Sequence, residues 1–228
     1  MSEEPTVEQL RDAYRGIRGR VRTMIEGATE AQLATLCPTT PAWRVRDTLA
    51  HLGGVPSDVL AGNLEGVASD AWTQAQVDAR TETPVSTLLD DWDDEGTQIE
   101  PAMPLFPIVT LGQMVFDAVT HEVDIAHALG VKADRISDAV VYSFEWVVRQ
   151  SGPTTQQPLL LQTEVGDVPF GVSDDAIALE ISRFEFMRAA TGRRSAAQIA
   201  ALPASRAVDP QQMLAAPIFA LSAFDIVE

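Results

Sequence analysis

The sequence predicts a mainly α protein, an up-and-down four-helix bundle followed by a smaller C-terminal α+β lobe. Three observations carry that expectation. Four segments of helical periodicity fill the first 130 residues, the texture turns to short β-rich runs after Ser151-Gly152-Pro153, and 46% hydrophobic content over 228 residues suffices for a substantial core. The bundle is accordingly expected over residues 1–155 and the lobe over residues 156–228.

Each element has its own signal. Residues 7–30 place Leu10, Ile17, Val21 and Ile25 on one stripe, with charge on the opposite face. The second segment, "RVRDTLAHLGGVPSDVLAGNL", follows a Thr-Pro start signal and carries Val45, Leu49 and Leu52 on its stripe. Gly53, Gly54 and Pro56 predict an interruption or kink there. The third, "TQAQVDARTETPVSTLLDDWDDEGTQI", should break at Pro84, and the Pro-rich "PAMPLFP" leads to the fourth at about residues 109–129. "ISDAVVYSFEWVVRQ" predicts a fifth helix. Beyond it, "LLLQTEVGDVPFGV" and "AIALEIS" read as strands bounded by Gly-Asp and Asp-Asp turns. "RFEFMRAATG" reads as a helix stopped at Gly192, and Ser195 caps another, "SAAQIAAL". No internal repeat is visible, which argues against a solenoid.

Composition narrows the function. Sixteen Lys and Arg against 33 Asp and Glu give a net charge of −17, which opposes approach to nucleic acid and to anionic membranes. No run of 18 apolar residues is present, and "MSEEPTVEQL" lacks a basic segment followed by an apolar one, so a cytoplasmic protein is expected. Cys37 is the only cysteine, which excludes an internal disulfide or a multi-cysteine metal site. Thiol chemistry beyond Cys37 must use an external thiol.

The chemistry concentrates in "FDAVTHEVDIAHALG". Leu111, Val115, Ala118, Val119, Glu122, Ile125 and Leu129 cover one side of this helix, and Phe116 and Val123 widen the apolar surface, so burial on most sides is expected. Asp117 and His121 stand four residues apart and emerge one turn apart on the same stripe. A buried carboxylate is tolerable when it is hydrogen-bonded, ion-paired or bound to metal. His51, one turn from Asp47, could face the pair across an antiparallel bundle. Two nitrogen donors and one oxygen donor would suit zinc and leave coordination positions open, a catalytic arrangement more than a structural one. Spacing alone leaves a second reading open, in which Asp117 and His121 are a hydrogen-bonded i, i+4 pair and His51 is a core-edge histidine. Asp124 either orients His121 or has a solvated or structural role, and His127, in the last turn, suits a capping or surface position and is expected outside the site. Cys37 lacks an activating motif and is expected to pack. Trp43, Trp72, Trp92 and Trp146 are expected as packing anchors. Arg193 and Arg194 could meet an anionic substrate or, more commonly for such a pair, cap carbonyls or face solvent.

"TPAWRVRDTLAHLGG", "FDAVTHEVDIAHALG" and "TGRRSAAQIAAL", in that order, resemble the mycothiol-dependent maleylpyruvate isomerase family of the wider DinB-like metalloprotein superfamily. The resemblance covers nearly the full length. It implies a DinB-like bundle with a sterol-carrier-like lobe and a divalent metal, usually zinc, held by His51, Asp117 and His121. It further implies mycothiol as co-substrate, a low-molecular-weight thiol and a small electrophilic molecule as partners, and an isomerase or thiol S-transferase activity. The family pattern has Glu where this chain has Asp117, a side chain one methylene shorter. The alternative function is a non-catalytic metal- or small-ligand-binding protein whose lobe holds an apolar ligand or completes a homodimer interface.

Overall fold

The computed structural model describes residues 3–228. Helix α1, Val7–Glu26, starts at a reciprocal capping box between Thr6 and Gln9 and buries Leu10, Tyr14, Ile17, Val21 and Ile25. It stops four residues short of the expected end, because Thr29 and Gln32 form a second capping box that starts the one-turn α2, Glu30–Leu33. A short antiparallel hairpin of β1, Leu36–Cys37, and β2, Thr40–Arg44, follows. Helix α3, Val45–Ala61, is continuous through Gly53, Gly54 and Pro56, where the sequence predicted a break, and ends on the left-handed Gly62. The expected break at Pro84 separates α4, Asp70–Ala79, from α5, Val85–Ile99. A 3₁₀ segment over Glu100–Leu105 leads into α6, Ile108–Leu129, which closes on the left-handed Gly130.

These elements form one compact unit, Thr6–Ala133. Its four long helices make the bundle: α1 packs on α5 and α6, and α3 packs on the same two, so α1 and α3 lie on opposite corners. The short α4 packs outside that ring against α3. The interior is apolar, with Leu49, Leu52, Leu88, Trp92, Val115 and Ile125 among the buried side chains.

The second unit comprises Asp134–Glu228 with residues 3–5. The division therefore falls before α7, Asp138–Ser151, well upstream of the boundary at residues 155/156 drawn from sequence texture. The physical reason is aromatic packing: Phe144 on α7 meets Phe186 edge-on at 5.5 Å, and Phe186 meets Phe170 at 5.2 Å. Strand β3, Leu159–Thr163, is central, antiparallel to β4, Gly166–Phe170, and parallel to β5, Ile177–Glu180. Helices α8, Arg183–Ala190, and α9, Ala196–Ala200, complete the expected α+β lobe, with Ser182 and Ser195 as their caps. Arg194 is buried, not solvated: its guanidinium pairs with Glu185 at 2.7 Å and Glu228 at 3.2 Å. Arg193 is buried as well and donates to the Thr191 carbonyl, a capping contact. Among the described residues, no helix is long and apolar enough to cross a membrane.

Candidate metal centre

The packing of α3 on α6 brings His51 opposite Asp117 and His121. Each of the three offers one donor atom, and these atoms lie within 4.8 Å of one another. His51 Nε2 is 3.3 Å from Asp117 Oδ2, and His121 Nε2 is 3.8 Å from Asp117 Oδ1. Two donors at zinc bond lengths on a tetrahedral ion lie about 3.3–3.5 Å apart. Asp117 therefore meets that spacing toward His51 and stands a few tenths of an ångström beyond it toward His121. His51 and His121 are buried, whereas Asp117 is 36% exposed and gives the cluster its open side.

The far side of each ring fixes which nitrogen faces inward. His51 Nδ1 is 2.7 Å from Gln76 Oε1, and Gln76 Nε2 donates at 2.7 Å to Asp58. A carboxylate only accepts, so the amide turns its nitrogen to Asp58 and its oxygen to His51. Nδ1 of His51 is then the donor, and Nε2 carries a lone pair. That Nε2 atom is buried without a hydrogen-bond partner, its approach to Asp117 being close but misaligned. His121 repeats the pattern, with Nδ1 3.1 Å from the fully buried Asp124 and Nε2 toward Asp117. An acceptor carboxylate facing two nitrogen lone pairs is repulsive unless positive charge lies among them, so the donor set fits a divalent cation.

The electrostatics agree. Burial works against protonating His51, but the adjacent Asp117 carboxylate, with Gln76, overcomes it and raises the pKa above the ordinary histidine value. For His121 burial dominates, outweighing Asp124 and Asp117, and the pKa is lowered. The pair thus divides into one ring that attracts positive charge and one kept neutral.

Sequence reasoning missed two contributors. Gln76 comes from α4, where nothing in the local pattern marks it. Trp43, expected as a packing anchor, instead lies over both imidazoles, its ring 5.1 Å from His51 and 5.9 Å from His121. Its indole Nε1 donates to Gln74 Oε1 at 3.0 Å. Asp47 is spent on the start of α3, accepting from the Arg44 backbone N–H at 2.9 Å. Cys37 is fully buried, contacts the Thr48 hydroxyl at 3.4 Å, and has its thiol pKa pushed up to about 11, chiefly by burial. His127 lies in the last turn of α6, outside the three-residue cluster.

The fold and site together define a helical-bundle protein with a His-Asp-His cluster in its interior. No family model and no curated protein matches the chain. Two crystal structures of mycothiol-dependent maleylpyruvate isomerase, one of them a histidine-to-alanine mutant, match it with TM-scores of 0.65 and 0.64. The matches cover 92% of this chain and 99% of theirs at 13% identity. The chain therefore has the fold of that enzyme, as the three motifs implied.

Proposed function

We propose that this chain is a metal- and thiol-dependent enzyme of maleylpyruvate isomerase type, acting on a small electrophilic substrate, with His51, Asp117 and His121 holding a divalent cation. Zinc suits the two-nitrogen, one-oxygen donor set. One observation carries the reading: both imidazoles turn Nε2 toward a partly exposed carboxylate while their Nδ1 atoms are committed elsewhere. Three protein donors leave a position open, and a cation bound there supplies the Lewis acidity that lowers the pKa of a small thiol.

The chain's own residues supply the remainder. Gln76 and Asp124 hold the rings in register, Asp117 contributes the anionic donor on the accessible side, and Trp43 covers both rings. Cys37, buried with its pKa at about 11, does not compete as a nucleophile, so the reacting sulfur belongs to a diffusible thiol. Mycothiol is favoured by the proteins that share the fold. In isomerisation the thiolate adds to an activated double bond, the new single bond rotates, and the carbanion expels the thiolate as the double bond re-forms. In transfer the carbanion is protonated instead and the thioether persists. The shared fold favours isomerisation.

Calorimetric zinc titration of metal-stripped wild type, His121→Ala, Asp117→Asn and His127→Ala tests the site, and turnover with thiol and candidate electrophiles, with and without chelator, tests the activity. Zinc affinity should fall sharply in the first two variants with helical content unchanged, and be kept in the third. Equal affinity in all four proteins would remove the ligand set. Zinc binding without thiol-dependent turnover would favour a binding protein.

A further inference from the structure

Helix α4 stands outside the ring of four long helices and packs against α3. Two glutamines on it, Gln74 and Gln76, each hold a ring of the candidate centre: Gln74 accepts from Trp43, and Gln76 accepts from His51. Gln76 is 2% exposed, so its amide is fully removed from water. All of its neighbours accommodate it. Asp58 accepts its Nε2 at 2.7 Å and is itself held by Asn63 Nδ2 at 2.9 Å. On α3, Gly54 leaves the space through which the side chain passes, since a Cβ there would lie 2.5, 2.7 and 2.9 Å from Gln76 Cβ, Cγ and Cδ.

A buried amide that merely filled volume would be replaceable by leucine and would need neither a carboxylate to orient it nor a glycine to admit it. We propose that Gln76 is a positioning residue: oriented by Asp58 and admitted by Gly54, it locks His51 in the Nδ1–H form, so that the Nε2 lone pair faces Asp117 and His121. A free neutral imidazole exchanges between its two tautomers, and a cation then meets the wrong one part of the time. The lock removes that loss. The two rings are braced by different groups to the same end, His121 by the carboxylate of Asp124 and His51 by a neutral amide with a carboxylate beyond it. The effect on cation affinity rests on the metal reading above, whereas the tautomer itself is a property of the metal-free protein.

Long-range proton–nitrogen correlation spectra of metal-free protein with isotope-labelled histidine, recorded above the titration of His51, report the tautomer directly. Wild type should show His51 as Nδ1–H alone. Gln76→Leu should give a mixture or the opposite tautomer, and weaken zinc binding about 10- to 100-fold. The double variant Asp58→Asn with Gln76→Glu keeps an oxygen toward His51 and a donor–acceptor pair behind it, and should restore both the tautomer and the affinity. His51 found as Nε2–H in wild type, or an unchanged Nδ1–H form in Gln76→Leu, would overturn the lock. A changed tautomer with unchanged zinc affinity in Gln76→Leu would overturn its role in positioning the ligand. If Gln76→Leu does not fold, the wild-type spectrum and the double variant still decide. An Nδ1–H form in a wild type that takes up no zinc would overturn the metal reading and leave the lock standing.

Discussion

Gly53 and Gly54 are adjacent in α3, yet a single methyl group should act on them with opposite sign. A Cβ at Gly53 would lie 3.6 Å from Trp92 Cβ and 3.7 Å from the Leu88 carbonyl, ordinary contacts that need no adjustment. Gly53→Ala should therefore gain the difference in helix propensity, about 0.8–1.0 kcal/mol. A Cβ at Gly54 would meet three Gln76 carbons at 2.5–2.9 Å, too close to be absorbed without moving that side chain or the helix behind it. Overpacking of this kind costs about 1–3 kcal/mol. Set against the same propensity gain, Gly54→Ala should be destabilised by about 0–2 kcal/mol, so the two variants should differ by about 1–3 kcal/mol. The side chain displaced is the one that holds His51 Nδ1, so Gly54→Ala should also weaken zinc binding and Gly53→Ala should not. Urea unfolding of the metal-free proteins followed by circular dichroism reads the first effect, and zinc titration reads the second. Equal stabilisation of both variants, with wild-type zinc affinity in each, would refute the reasoning.

Two further expectations test the bundle. Glu100 accepts from Arg15 and Arg18, and its pKa lies below the ordinary carboxylate value, chiefly through the Arg15 hydrogen bond and against burial. Its folded-state pKa is depressed, so its stabilisation is present above the unfolded value of about 4.3 and is lost as pH falls through the lower folded value. Wild type should exceed Glu100→Gln in urea midpoint at neutral pH, with the gap closing on acidification below that range; a gap independent of pH would argue against the linkage. Trp92 Nε1 donates at 2.9 Å to the buried Tyr14 hydroxyl. Tyr14→Phe should cost about 1–3 kcal/mol by leaving that N–H unsatisfied. A loss near zero in chemical denaturation would mean the N–H finds another acceptor.

What the sequence made legible was local. The i, i+4 spacing of Asp117 and His121 is an angular statement about one helix, and the structure places both on the face that meets α3. The strands of the lobe were legible from their β-rich runs and the Asp174-Asp175 turn, whereas the expected Gly166-Asp167 turn lies inside β4 and the chain turns instead at Glu164-Val165. The misses are long-range. Continuity of α3 through Gly53, Gly54 and Pro56 depends on close packing against Trp92 and Gln76, which overrides local propensity and is invisible in the segment itself. The β1–β2 hairpin carries two prolines and has only two residues in one strand, too little for a periodic signal. Gln76 could have been sought only through Gly54, a helical glycine whose reason lies on another element. Arg194 read as a solvated or capping residue because its carboxylate partners, Glu185 and Glu228, lie 9 and 34 residues away.

The charge pattern of α6 follows from the same geometry. Three carboxylates, Asp117, Glu122 and Asp124, occur within eight residues of a helix buried on most of its surface. They are not equivalent. Glu122 is met by Arg20 of α1 through two contacts, at 2.6 and 2.9 Å, and so belongs to the α1–α6 packing. Asp117 and Asp124 instead approach imidazoles, with Asp117 between the two Nε2 atoms and Asp124 behind His121. Burial holds His121 below the ordinary histidine pKa, whereas the Asp117 carboxylate raises that of His51. An apolar helix can carry so many ionisable groups because one is paired with an arginine of a neighbouring helix and the other two stand against imidazoles.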